Sequence, residues 1–210
     1  MAKLKGATND VIIHAVYSKS ESAEVLTNAN QIFDLLEKGH DLSVSQDLDG
    51  SFGSANKSVF CTVVDDPEIP GDYEARFDLN SFTLKYVGSS NANKDWTLFH
   101  ILGNSKLTVG DGLAGFGFLY FYLTNLNGNA SPCIFHLDEG ATLVLERGVV
   151  IELRYPANNS NTFHPFSGVE DYNDTTKYPG LQIEESEGLY RITVTARTVL
   201  VGDSSDARGK

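Results

Sequence analysis

The chain is poor in positive charge, cysteine and long apolar runs, and each shortage excludes something. Lys and Arg number 16 against 28 Asp and Glu, a net charge of −12 over 210 residues. No basic cluster interrupts that balance, so nucleic acid is excluded as the main partner: a phosphate backbone needs grouped Lys and Arg. Cys61 and Cys133 are the two cysteines. They are too few for a disulfide framework and lack zinc spacing. Both sit in apolar stretches, VFCTVV and PCIFHL, and are expected to be buried thiols. No run is long enough to cross a membrane. The opening MAKLKGATNDVIIHAVYSKSESAEV holds no apolar run of signal-peptide length before SKSESAE, so export by the ordinary secretory route is not expected.

Glycine and ring-bearing residues are plentiful instead. Gly at 19, Phe at 12 and Tyr at 9 lean towards an all-β protein rich in turns. Residues 11–17, VIIHAVY, read as a strand. Val25, Ile32, Phe33 and Leu36 share a helical face, which predicts a helix from about 22 to 38 with Ser22 as N-cap and Gly39 as stop. From 41 to about 153, short alternating runs are separated by Gly, Asn, Asp and Ser.

One stretch is nearly said twice. FHILGNSKLTV at 99 aligns without a gap on FHLDEGATLVL at 135, an offset of 135 − 99 = 36. Phe99 falls on Phe135, His100 on His136, Leu107 on Leu143 and Val109 on Leu145. LKYVG at 84–88 also resembles LTVGD at 107–111 and LVLER at 143–147. The implied unit is strand, corner, strand, corner, wound so that like residues stack.

FDLNSFTL, FHILGNSKLTVGDGLAGFG and IFHLDEGATLVLERGVVIEL resemble the strands and coils of the right-handed parallel β-helix proteins of the pectate-lyase-like class. Ser81-Phe82 stands where that pattern carries Gly-His. The resemblance covers roughly 41–153, and β-helices of this kind occur in bacteriophage fibre, spike and decoration proteins. It implies an all-β fold: a single-stranded right-handed parallel β-helix, or β-solenoid, with an N-terminal capping helix and an irregular β C-terminal segment. The expected division is 1–40, a strand plus helix serving as anchor or cap; 41–154, the β-helix; and 155–210, a loop region, closing strand and polar tail.

Lyases and hydrolases of that fold cluster carboxylates. The candidates here are Asp111, Asp138, Glu139, Glu146, Arg147, Glu152 and Arg154. The 36-residue offset does not bring several carboxylates together; it sets Asp111 over Arg147, where an ion pair is expected. His100 and His136 stack by the same offset, with Phe99 and Phe135 inward and the imidazoles outward. Two imidazoles could hold a metal ion, yet no further ligand stands out in the sequence. His14, His40 and His164 are scattered. No catalytic residue, metal or cofactor is assigned.

FGFLYFYL at 116–123 is apolar on both faces. Phe116, Phe118, Tyr120 and Tyr122 share one parity, and an exposed aromatic row of that size is expected to be a contact site. Subunit packing is the first use, cover by the chain's own ends the second and a sugar platform the third. Trp96 and Tyr172 are the candidate glycan contacts. The functional expectation is a non-enzymatic structural protein of a bacteriophage virion: a head fibre, spike or capsid-decorating protein, assembled as a homo-oligomer with a trimer favoured, beside other virion proteins and a surface glycan. The alternatives are a carbohydrate-active β-helix enzyme or glycan-binding surface protein, placed at the cell surface or outside it, and a plain oligomeric scaffold.

Overall fold

The structure is a computed structural model, which describes residues 23–37, 40–55, 59–63, 74–90, 97–112, 115–126, 133–156 and 164–203. The strand expected at 11–17, the Ser22 cap, Gly39 and Trp96 lie outside the described residues.

Where one helix was expected from 22 to 38, the chain forms strand β1 (Glu24–Leu26) and then helix α1 (Gln31–Glu37). The cap explains the late start. Asn28 Oδ1 accepts the Asn30 N–H at 2.9 Å, and Gln31 Oε1 reaches back to the Asn28 N–H at 3.0 Å. That reciprocal pair is a capping box, and it fixes Asn28 as the N-terminal boundary. Upstream, β1 is claimed by a parallel partner, β2 (Leu42–Val44). Ile32 and Leu36 are fully buried, and Phe33 packs on the core.

The remaining strands follow in order: β3 (Leu48–Ala55), β4 (Val59–Val63), β5 (Glu74–Asp78), β6 (Thr83–Ser90), β7 (Thr97–Ile101), β8 (Lys106–Gly110), β9 (Gly117–Leu126), β10 (Cys133–Leu137), β11 (Thr142–Leu145), β12 (Val149–Arg154), β13 (His164–Ser167), β14 (Leu181–Ser186), β15 (Leu189–Val194) and β16 (Thr198–Val201). They make three sheets. The first runs β1-β2-β5-β8-β11-β16, the second β13-β10-β7-β4 and the third β14-β15-β12-β9-β6-β3. The second is wholly parallel. The other two are mixed: β16 runs antiparallel to β11, and β15 antiparallel to both β12 and β14.

The expected single solenoid is therefore corrected. Hydrogen bonds organise three separate sheets, parallel and mixed, and not one uniform winding of a two-strand unit. The arrangement is mostly strand with one short helix among the described residues, α/β-like in its parallel pairing. From β2 to β13 the chain visits the three sheets in turn. This also corrects the first step of the repeat. LKYVG belongs to β6, which pairs with β9, whereas LTVG belongs to β8, which pairs with β5. Two strands with the same alternation looked equivalent although they lie in different sheets.

The second step of the repeat is found as a ladder register. Phe99 pairs with Phe135, His100 with His136, Leu107 with Leu143 and Val109 with Leu145. The inward rows are rings and branched chains. Phe99, Phe135 and Phe166 stack with centroids 5.3 and 5.9 Å apart, and Tyr86 stacks on Phe121 at 5.7 Å. Phe33 of α1 meets Tyr86 and Phe99 at 5.2 and 6.1 Å, so the helix packs on these rings. Each fully buried ring contributes about 1.5–3 kcal/mol from removal of apolar surface.

Between β5 and β6 the chain turns through Asn80 and Ser81, both with positive φ (50° and 64°), and the Phe82 N–H donates to the Leu79 carbonyl. That is a two-residue turn with left-handed central residues. The region expected after Pro156 to be a long loop or irregular subdomain contains β13 and is followed by β14, and the closing strand resolves into β15 and β16. Of the two cysteines, Cys133 is buried, with its sulfur 3.2 Å from the Thr97 hydroxyl.

Candidate functional site

The outward face of the third sheet is built by register. The row through Tyr120 reads Asp49, Lys85, Tyr120, Glu152, Arg191, Glu184 across β3, β6, β9, β12, β15 and β14. Neighbouring rows place Phe118 between Thr83 and Val150, and Tyr122 between Val87 and Arg154. An aromatic column therefore runs up the middle of the face, with Thr83, Lys85 and Val87 of β6 on one side and Val150, Glu152 and Arg154 of β12 on the other. Because strand side chains alternate, the same strand sends Leu119, Phe121 and Leu123 inward, each at most 2% exposed.

The aromatic column is not covered by the described residues. Phe116 and Tyr122 are 55% and 45% exposed, and Phe118 and Tyr120 are half-buried with ring centroids 5.6 Å apart. Of the expected grouping, Phe118, Tyr120 and Tyr122 share the outward face of β9, while Phe116 lies just before the strand and is exposed. Burial, followed by the nearby Glu152 charge, raises the Tyr120 phenol above its ordinary value.

Beside it sits a carboxylate that points outward yet is buried. The Glu152 side chain is 4% exposed and lies between Arg154 Nε (2.6 Å) and Arg191 Nη2 (2.6 Å). Burial would push its pKa up, but the hydrogen bonds from Arg154 and Arg191 outweigh it and hold the carboxyl below the ordinary glutamate value. Glu146 is held in the same direction, chiefly by its hydrogen bonds from Arg76 at 2.7 and 3.0 Å. Arg76 also grips Asp78 at 2.7 Å. Neither the sheet edge nor the spacing of Arg76 announced this bridge, which spans 70 residues of sequence.

The other candidate carboxylates do not converge either. Asp111 was expected to pair with Arg147. It is instead 1% exposed and accepts hydrogen bonds from the Ser81 N–H and hydroxyl, while Arg147 is exposed. The physical reason is the strained turn: Ser81, in a conformation that favours glycine, is propped by an anion. Glu139 is exposed at a corner.

Asp138 has a different neighbourhood. It follows β10 and brings Oδ1 to 2.9 Å from His100 Nε2 and 3.3 Å from His136 Nε2. The two imidazoles lie with centroids 4.6 Å apart. The sequence showed the histidine pair; the third member was legible only as the i, i+2 spacing of His136 and Asp138.

Tyr172 lines a cavity of about 230 Å³ with Tyr178, Tyr190, Ile183 and Glu185. Its ring meets Phe166 edge-on at 5.4 Å, and its hydroxyl lies 3.3 Å from His164 Nδ1. Burial raises the Tyr172 and Tyr190 phenols.

No protein-family model, curated protein or solved structure matches the chain. No helix among the described residues is long and apolar enough to cross a membrane.

Proposed function

We propose that the chain is a non-enzymatic structural protein that associates with copies of itself through the outward face of the third sheet. The observation that carries this reading is the outward aromatic column Phe118, Tyr120 and Tyr122 of β9, half-buried to exposed, with Lys85 on one flank and Glu152 and Arg154 on the other. An apolar centre with a polar rim is the usual anatomy of an interface. The occupant is a second copy because the face carries both signs in fixed register, Asp49 and Lys85 on one flank and Glu152, Arg154 and Arg191 on the other, and so can meet itself without net repulsion. Three of the candidate carboxylates are engaged within the chain: Glu146 by Arg76, Glu152 by Arg154 and Arg191, and Asp111 by Ser81.

The setting we propose is a bacteriophage virion, as a fibre, spike or decoration protein, with a homotrimer favoured. The support for that part is the resemblance of the 77–84, 99–117 and 134–153 stretches to proteins of the pectate-lyase-like class, a kind that occurs in such virion parts. Chemical labelling of tyrosines tests the self-association. Tyr122 should label slowly at high protein concentration and faster on dilution, while exposed control sites do not change. Labelling of Tyr122 that is fast and independent of concentration contradicts the proposal.

A second reading, glycan binding, is favoured by the Tyr172–Tyr178–Tyr190 cavity, whose rings and the Glu185 carboxylate offer stacking and hydrogen bonding to a sugar.

A further inference from the structure

We infer that His100, His136 and Asp138 form a site for one divalent transition-metal ion of the zinc class, clasping β7 to β10. The three side chains each offer one donor atom, and these atoms lie within 4.8 Å of one another. Around an ion with bonds of about 2.1 Å, neighbouring donors stand roughly 3.0 Å apart in an octahedron and 3.4 Å apart in a tetrahedron. The Asp138 Oδ1 distances to the two Nε2 atoms, 2.9 and 3.3 Å, already lie within about 0.1 Å of those two spacings. The donor atoms of the imidazole pair, within 4.8 Å of each other, draw together onto the same ion.

The donor set is selective. Two imidazole nitrogens and one carboxylate suit zinc, cobalt, nickel or iron(II) better than calcium or magnesium, which prefer all-oxygen shells. The His100 and Asp138 side chains are 23% and 38% exposed, which leaves a solvent side for entry and for a water ligand. The site is also preorganised by backbone. The Asp138 N–H donates to the Ile101 carbonyl at 3.0 Å, and the Asp138 carbonyl accepts the Ala141 N–H at 3.0 Å. Gly202 packs so closely on the Asp138 carbonyl that a Cβ there would lie 1.8 Å from the oxygen. The ligand-bearing corner is thereby fixed.

The ion would join residues 36 apart in sequence without a covalent bond, and the overall charge of −12 favours a cation.

The test is a competition titration of the full chain, freed of metal by chelator, with zinc ion, and with cobalt(II) as a spectroscopic probe. One zinc ion should bind per chain, and cobalt(II) should give the visible bands of an imidazole-ligated ion. Asp138→Asn and His100→Gln, both at partly exposed positions, should each weaken zinc at least about tenfold while circular dichroism shows the native fold. Binding unchanged in both folded variants, or no stoichiometric zinc binding by the native chain, overturns the inference. Loss of binding only in His40→Gln would place the ion at the Glu24–His40 pair instead and also overturns it.

Discussion

At the scale of single residues, the acidic side chains act as internal fasteners. Arg76 holds Glu146 and Asp78, Arg154 and Arg191 hold Glu152, and Asp111 holds the left-handed Ser81 turn. Both glutamates have folded-state pKa values below the ordinary 4.5. The unfolded chain therefore takes up protons at a higher pH than the folded one. Their stabilisation is fully present above the ordinary value and is lost as pH falls through the lower, folded one. The thermal unfolding midpoint should thus drop as pH goes from 6 to 3. A Glu146→Gln/Glu152→Gln variant should start lower and fall less steeply; parallel curves would show that these pairs carry no acid sensitivity. Very little of this was legible in sequence. A carboxylate's partner depends on which strands become neighbours, so Asp111 was assigned to Arg147 by offset when the nearby turn captured it. Ser81 takes a positive φ of 64°, which the residue type itself does not announce.

At the scale of elements, alternation proved legible and partnership did not. The period-two pattern of β9 placed Phe118, Tyr120 and Tyr122 on one face and Leu119, Phe121 and Leu123 on the other, as found. The phenylalanines of β7 and β10 were placed inward correctly because the copies at 99 and 135 keep both residue type and order. Sequence alternation carries no label for sheet membership, however, and so β6 was aligned with β8. Helix α1 was overextended because the apolar spacing of 25 to 36 fits a helix, while a capping box at Asn28 and pairing of β1 with β2 truncate it. The ring ladder yields a prediction at this scale. Phe135 is fully buried between Phe99 and Phe166. Phe135→Ala should cost about 3–5 kcal/mol, from lost burial plus the cavity left between two stacked rings. Denaturant unfolding measures it, and a loss under about 1 kcal/mol would mean the neighbouring rings collapse into the gap.

At the scale of the molecule, three sheets share one apolar interior, and one of them turns an aromatic column outward. The two mixed sheets end on antiparallel strands, β14 for the third and β16 for the first. A uniform repeat could not have foretold that closure, since those strands reverse direction. Self-association through the third sheet is the claim on which the functional reading depends. The most direct test is the molar mass in solution, by light scattering on a gel-filtration column, of the native chain and of Phe118→Asp/Tyr120→Asp. Both substituted side chains lie half-buried on the outward face, so the change should spare the interior. The account predicts a native mass that is a multiple of 22.9 kDa, with a trimer favoured, and a folded variant at 22.9 kDa. A native chain already at 22.9 kDa, or a folded variant that keeps the native assembly, would contradict it.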